Sequence, residues 1–199
     1  MSEEYRRLWL CRKTLTEMLT DRGYQVAQLP TKEEFVARYP SLLTRSTLNF
    51  AASKEQRTIM VHFCDELKLG IKQIKSILET YERQGVFNII LVCREAPSSA
   101  SQKVLNELST NFTVEIFKED ELLFNITTHE LVPKHTILGN EEKENMMRSM
   151  RVKEYQLPKI LKSDPVARYF GAKVGDVFKI ERRSNSGVKS LYYRIVIDK

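Results

Sequence analysis

Cysteine is scarce in this chain of 199 residues, and so are the patterns that would give it chemistry of its own. Cys11, Cys64 and Cys93 lie far apart, are odd in number and form no Cys-x-x-Cys pair. That spacing argues against a zinc ribbon and for reduced, buried thiols in an intracellular protein. No apolar run reaches about 18 residues, so neither a membrane span nor a membrane partner is expected. The opening Met1-Ser-Glu-Glu-Tyr-Arg-Arg lacks the apolar core of a signal peptide. Internal repeats and low-complexity tracts are missing as well.

Catalytic motifs are equally lacking. G-x-G-x-x-G, the Walker loop, G-x-S-x-G and H-E-x-x-H do not occur. His62, His129 and His135 have no ligand spacing and read as structural histidines. Gly171-x-x-x-Gly175 resembles a phosphate loop in spacing only: it follows a predicted helix, no Gly-Lys-Ser/Thr closes it, and it reads as a turn. Asp65-Glu66-Leu67-Lys68 comes nearest to an enzyme signature, because some nucleases place an Asp and a Glu-x-Lys at a strand end to hold Mg²⁺ and activate water. Such a site needs another carboxylate on the neighbouring strand. Between Arg22 and Cys64 the acids are Glu33, Glu34 and Glu55, two in a predicted helix and one in a turn, so the set is incomplete. Glu141-Glu142 is a solvated helix start. No catalytic residue, metal site or cofactor is expected.

What is present is ordinary globular material. Hydrophobic residues make up 42% and charged residues 29%, enough for a core in one or two domains. The net charge of +6 is uneven: residues 1–126 hold 17 Lys/Arg and 17 Asp/Glu, residues 127–199 hold 15 and 9. The excess fits a basic surface that meets acidic protein or nucleic acid, and charge alone does not separate the two.

A first helix is predicted from Ser2 to Arg22, with Leu8, Cys11, Leu15, Met18 and Leu19 on one face and Gly23 as its stop. Thr31 and Glu34 form a capping box for a short helix that closes near Pro40. Strands are predicted over Thr47–Ala51 and Thr58–Phe63, split by a turn at Ser53-Lys-Glu-Gln56, and an amphipathic helix runs from Ile71 through Tyr81 to Gly85. Val86–Val92 reads as a central strand covered on both faces, Ser99 and Gln102 as a second capping box, and Phe112–Phe117 as another strand. Strands alternating with helices imply a small α/β sheet flanked by helices. The loop Ala96-Pro97-Ser98-Ser99-Ala100 leaves the buried strand and opens a helix, whose free amides suit a phosphate, with Arg94 and Lys103 adding positive charge. An ordinary strand-to-helix turn explains the same residues.

The boundary falls between Glu119 and Asn125. Beyond it, Glu141–Met150 is a helix, Asp164-Pro165 caps a shorter one that Gly171 ends, and Ser184-Asn-Ser-Gly187 turns a hairpin. In that hairpin Phe178 and Ile180 alternate with Lys179 and Glu181, while Leu191, Tyr193, Ile195 and Ile197 share one face against Tyr192, Arg194 and Val196.

Several blocks then carry a resemblance: Ile126-Thr-Thr-His-Glu-Leu-Val-Pro133, Gln156-Leu-Pro158, Asp164-Pro-Val-Ala-Arg-Tyr-Phe-Gly171, Gly175-Asp-Val-Phe-Lys-Ile180 and Tyr193-Arg-Ile195. In this order they resemble the assembly domain of the fifth shared subunit of the eukaryotic nuclear RNA polymerases, a domain with a small counterpart in the archaeal polymerase. Tyr5-Arg-Arg-Leu-Trp9, Arg12-Lys-Thr14, Asp21-Arg-Gly-Tyr24 and Gly70-Ile-Lys-Gln-Ile-Lys75 resemble the N-terminal part of the same eukaryotic subunit. Two departures stand out: residues 28–69 are shorter than usual in the family, and Lys134-His135 stands where Glu-His is frequent.

The resemblance implies an α/β jaw domain over 1–125, a small α+β assembly domain over 126–199, and a nuclear, including nucleolar, location. It implies a non-catalytic subunit of polymerases I, II and III that packs on the largest subunit among other polymerase subunits, not a homo-oligomer, and helps guide downstream double-stranded DNA. Arg94, Pro97, Ser98, Ser99 and Lys103 would then lie near DNA. Leu131, Val132, Pro133, Gln156, Leu157, Pro158, Arg168 and Tyr169 would form the subunit interface, with a core role competing for the apolar ones. Arg168 is the most telling polar member, since an arginine in an apolar helix usually has a specific partner. The rival readings are a stand-alone nucleic-acid-binding module and a metal-dependent nuclease-like domain.

Overall fold

Helix α1, Glu3–Asp21, sets one side of the N-terminal unit, burying Leu8, Cys11, Leu15, Met18 and Leu19 along a single stripe. Gly23 follows at φ +82°, a left-handed conformation that glycine adopts at little cost. The computed structural model describes residues 3–39, 44–108, 110–183 and 189–198. They divide into two compact units, Met1–Phe124 and Asn125–Lys199.

The first unit carries a four-stranded mixed sheet, β1 (Phe50–Lys54), β2 (Arg57–Phe63), β3 (Asn88–Cys93) and β4 (Thr113–Lys118), in that spatial order. β1 and β2 are antiparallel; β2, β3 and β4 are parallel. On one face Ile74 and Leu78 of α3 (Ile71–Arg83) and Leu105 of α4 (Ser99–Leu108) pack with Ile89, Leu91 and Cys93. The alternate residues Ile90 and Val92 are buried too, so β3 is covered on both faces, as its unbroken apolar run predicts. Helix α1 lies on that second face. Arg22, just after it, makes a two-pronged bond to Glu115, the cross-strand neighbour of Ile90, at 2.8 and 2.7 Å, and the Arg12 guanidinium sits 3.4 Å from the Phe50 ring centre.

The Thr31/Glu34 capping box is formed and opens α2, Lys32–Arg38. Three local expectations are corrected. Thr47 and Leu48 belong to a 3₁₀ turn, Arg45–Leu48, not to a strand. The Asp65 carboxylate accepts from the Arg45 and Ser46 amides, and Asn49 Oδ1 accepts from the Phe63 amide at 2.7 Å; side chains have taken main-chain groups that a ladder would use. The β1–β2 turn is tighter than Ser53–Gln56, with Glu55 in the left-handed region at φ +53°. The cap of α4 is Ser98, one residue earlier than expected. Its Oγ accepts from the Ser101 amide, because Ser101 is buried and donates its own hydroxyl to the Leu69 carbonyl at 3.0 Å.

The second unit holds another four-stranded mixed sheet, in the order β5 (Lys134–Ile137), β7 (Val177–Arg183), β8 (Lys189–Ile197) and β6 (Lys159–Leu161). β5–β7 and β7–β8 are antiparallel and β6–β8 is parallel. The hairpin pairing is observed; its turn, 184–187, lies outside the described residues. The short edge strands β5 and β6 were not expected.

Both faces of this sheet are covered. Phe178, Ile180 and Val196 pack with Ile160, Ala167 and Ala172 around α6 (Pro165–Tyr169), and Val177 and Ile195 pack with Met146 of α5 (Asn140–Met150) and Leu157. The expectation of one apolar face on β8 is therefore corrected: Ile195 and Val196 are both buried, while Leu191 is 52% exposed. The end of β8 lies between two helices, and its beginning does not. Asp164 caps α6 by accepting from the Val166 amide at 2.8 Å, Pro165 occupies its first turn, and Gly171 at φ +62° follows it.

Candidate docking site

A cluster of side-chain-to-backbone bonds shapes the start of the second unit. Asn125 Oδ1 accepts from the Thr127 amide and hydroxyl at 3.0 and 2.7 Å, and its Nδ2 donates to the Tyr169 hydroxyl at 3.1 Å. His129 Nδ1 then accepts from the Leu131 amide at 3.1 Å, while the Val132 amide returns to the His129 carbonyl. This tight turn pushes Leu131 outward, leaving it 83% exposed.

Leu131 borders a groove of about 540 Å³ that lies wholly within this unit. One wall is Leu131, Val132 and Pro133; another is Leu157 and Pro158 with Met150; Leu191, Tyr192, Tyr193 and Arg194 of β8 run along it. Leu157 is buried and forms floor, while Leu131, Met150, Leu191 and Tyr192 are each at least half exposed. So much apolar surface gathered in one concavity marks an interaction site rather than scattered surface residues. Its charges are Arg182 and Arg194 against Asp164, so the groove favours an acidic occupant.

Of the expected interface residues, Leu131, Val132, Pro133, Leu157 and Pro158 come together here. Gln156, Arg168 and Tyr169 are not among the residues that line the groove. Gln156 caps its own 3₁₀ turn, accepting from the Lys153 amide at 2.8 Å. Tyr169 is buried at 4% exposure and receives Asn125, so its side chain is a strut of the core. Arg168 is half-buried on α6. Met150, Arg182, Leu191, Tyr192 and Arg194 were not expected as wall residues. The signal for them was the run Leu191-Tyr192-Tyr193, which puts an aromatic on each face of a strand that alternation would leave polar on one.

In the first unit, Ser98, Ser99 and Lys103 are exposed and Pro97 is partly buried at the carboxyl end of β3. Arg94 does not stand beside them as a free charge: its guanidinium turns inward and donates to the Asp65 carbonyl at 2.7 Å, and its Nε is buried without a hydrogen-bond partner among the described residues. The nuclease arrangement is contradicted by geometry. The Asp65 carboxylate is occupied by the Arg45 and Ser46 amides, and Lys68 pairs with Glu95 at 3.3 Å.

Residues 2–81 match the family model described as RNA polymerase Rpb5, N-terminal domain, and residues 124–196 match RNA polymerase Rpb5, C-terminal domain. The chain belongs to the RNA polymerase Rpb5 family. Among curated relatives, the DNA-directed RNA polymerases I, II, and III subunit RPABC1 of Caenorhabditis briggsae and that of Caenorhabditis elegans are each 36% identical over 202 residues, covering 96% of this chain and 96% of theirs. The corresponding rpabc1 subunit of Dictyostelium discoideum is also 36% identical, over 98% of this chain and 100% of its own. The groove thus lies inside the segment that matches the Rpb5 C-terminal domain.

Proposed function

We propose that this chain is the non-catalytic subunit shared by DNA-directed RNA polymerases I, II and III. In this reading the unit Asn125–Lys199 is the assembly domain and docks on the largest subunit through the apolar groove. The unit Met1–Phe124 is the jaw and helps guide downstream DNA past Ser98, Ser99 and Lys103. The protein works in the nucleus, including the nucleolus. The observation that carries this reading is likeness along essentially the whole chain to subunits named for all three polymerases.

Photo-cross-linkers placed singly at Leu131 and Ser98, in polymerase purified from cells that carry the variant chain, test the two halves. Leu131 is expected to reach the largest subunit and Ser98 to reach downstream duplex in an elongating complex. Cross-links from Leu131 to other proteins only would remove the docking assignment. Cross-links from Ser98 to protein only would leave α4 with an ordinary turn at its start.

A further inference from the structure

Strand β8 is longer than its neighbour on one side. β7 pairs with it from Lys189 to Ile195, but β6 reaches only Ile195, Val196 and Ile197. The Ile195 amide donates to the Pro158 carbonyl and the Lys162 amide to the Ile197 carbonyl, so main-chain groups of odd-numbered β8 residues point toward β6. Those of Tyr193 and Leu191 point the same way, by the alternation of an antiparallel ladder, and meet no strand. Among the described residues none is hydrogen-bonded to the main chain of Leu191 or Tyr193 on that side.

The sequence accounts for the gap. Continuing the β6 ladder backward would require Pro158 to donate to the Tyr193 carbonyl, and proline has no N–H. The residues before it curl into the 3₁₀ turn Glu154–Gln156, closed by the Leu157 amide on the Glu154 carbonyl. An open strand edge is thereby left beside an apolar groove. Leu191, Tyr192, Tyr193 and Arg194 all border that groove, which therefore follows the edge itself and not one face of the sheet.

We propose that the groove takes an extended segment of a polymerase partner, which adds to the open edge of β8 as a strand in the place β6 leaves vacant. The proposal rests on the docking role assigned above and specifies its form. The chemistry of the segment follows from the two faces of β8. Leu191 and Tyr193 lie on one face and call for apolar side chains. On the other face Arg194 shares the groove with Arg182, and together they outnumber Asp164, calling for a carboxylate in alternation with the apolar residues. Main-chain bonds supply the fit, and alternate side chains supply the selection.

Site-resolved hydrogen exchange on the full chain, free and within purified polymerase, tests this. In the free chain the Leu191 and Tyr193 amides exchange fast, while those of Tyr192 and Arg194, which face β7, are protected. In polymerase the Leu191 and Tyr193 amides are expected to slow at least about tenfold, with Tyr192 and Arg194 protected in both states. If the chain is present in polymerase and those two amides stay as fast as in the free protein, strand addition is wrong while docking stands. If the chain is absent from polymerase, the docking reading falls and this proposal with it. A variant gives a second readout. Leu191→Pro deletes an outward N–H and is expected to lower the chain's share in polymerase at least about fivefold. Normal incorporation of Leu191→Pro would overturn strand addition. Should that variant fail to fold, the exchange experiment decides alone.

Discussion

Arg45 Nε donates to Glu119 Oε1 at 3.0 Å with both side chains almost fully buried. The same guanidinium reaches Glu4 at 2.9 Å, and Glu119 also receives Arg7 at 3.1 Å, so the pair joins α1, the 3₁₀ turn Arg45–Leu48 and the end of β4. Burial alone would lower the Arg45 pKa; the bond to Glu4 and the charge and bond of Glu119 outweigh it and leave it raised. Arg45→Met leaves Glu119 buried with half its partners. The free protein is expected to lose about 3 kcal/mol, the lower end for a broken buried pair. Urea midpoints measure it, and a loss near that of a surface pair would show the network to be dispensable.

His62 makes the stability of the first unit depend on pH. Asn49 gives its Oδ1 to the Phe63 amide, which turns its Nδ2 toward His62 Nδ1 at 2.9 Å, with the Tyr81 hydroxyl at 2.8 Å. A nitrogen facing an amide donor must accept, so this ring is neutral in the fold. Burial lowers its pKa, against opposing pulls from Asp65 and Glu66. The unfolded chain therefore binds the proton more readily, and stability falls as pH drops below about 6.5, the unperturbed histidine value. Denaturant midpoints at pH 7.5 and 5 are expected to differ more in the natural protein than in His62→Asn. Equal pH slopes would contradict this.

The three thiols are expected to resist alkylation while the protein is folded. Burial pushes Cys11 up to about 12, and Cys64 is raised by its contact with Cys93 at 3.6 Å and by burial. Iodoacetamide at pH 8 should label none of them in native protein and all three in urea. Fast native labelling of any one would mean that its segment opens readily.

Tyr169→Phe removes the acceptor for Asn125 Nδ2 inside the second unit. The expected cost is about 1–3 kcal/mol, the range for a buried group left without its bond. The fragment 125–199 is expected to melt cooperatively by itself, since its sheet has a core on each face, although a chain of this size has little stability to spare. Calorimetry on the fragment with and without Tyr169→Phe checks both statements.

Much of this architecture is legible in the sequence, for local reasons. The Thr31/Glu34 box, the Asp164-Pro165 start and the unbroken run of β3 are each written in a few adjacent residues, so pattern and structure agree. The misses share another cause. Asp65 shapes residues 45–48 from 20 positions away, and the burial of Ser101 under Leu69 shifts a helix cap by one residue. β5 and β6 have four and three residues, too few for any period to show. The groove is half legible. The blocks around Leu131 and Leu157 name two of its walls, but the β8 wall depends on where β6 stops, which only the pairing register reveals.

The groove itself can be tested apart from folding. Leu131→Asp changes a side chain that is mostly in water, so the free protein should shift by no more than about 0.5 kcal/mol. If Leu131 is an anchor of the docked partner, its loss costs about 2 kcal/mol or more of binding, roughly thirtyfold. Normal incorporation of this variant would place the contact elsewhere.

Purification of polymerases I, II and III in turn, each through a tag on its own largest subunit, followed by quantification of this chain, bears most directly on the shared-subunit claim. The account predicts one copy of the chain per enzyme in all three preparations, retained through washes that strip loosely bound proteins. Recovery with one class only, or loss of the chain from all three under gentle extraction, would contradict it.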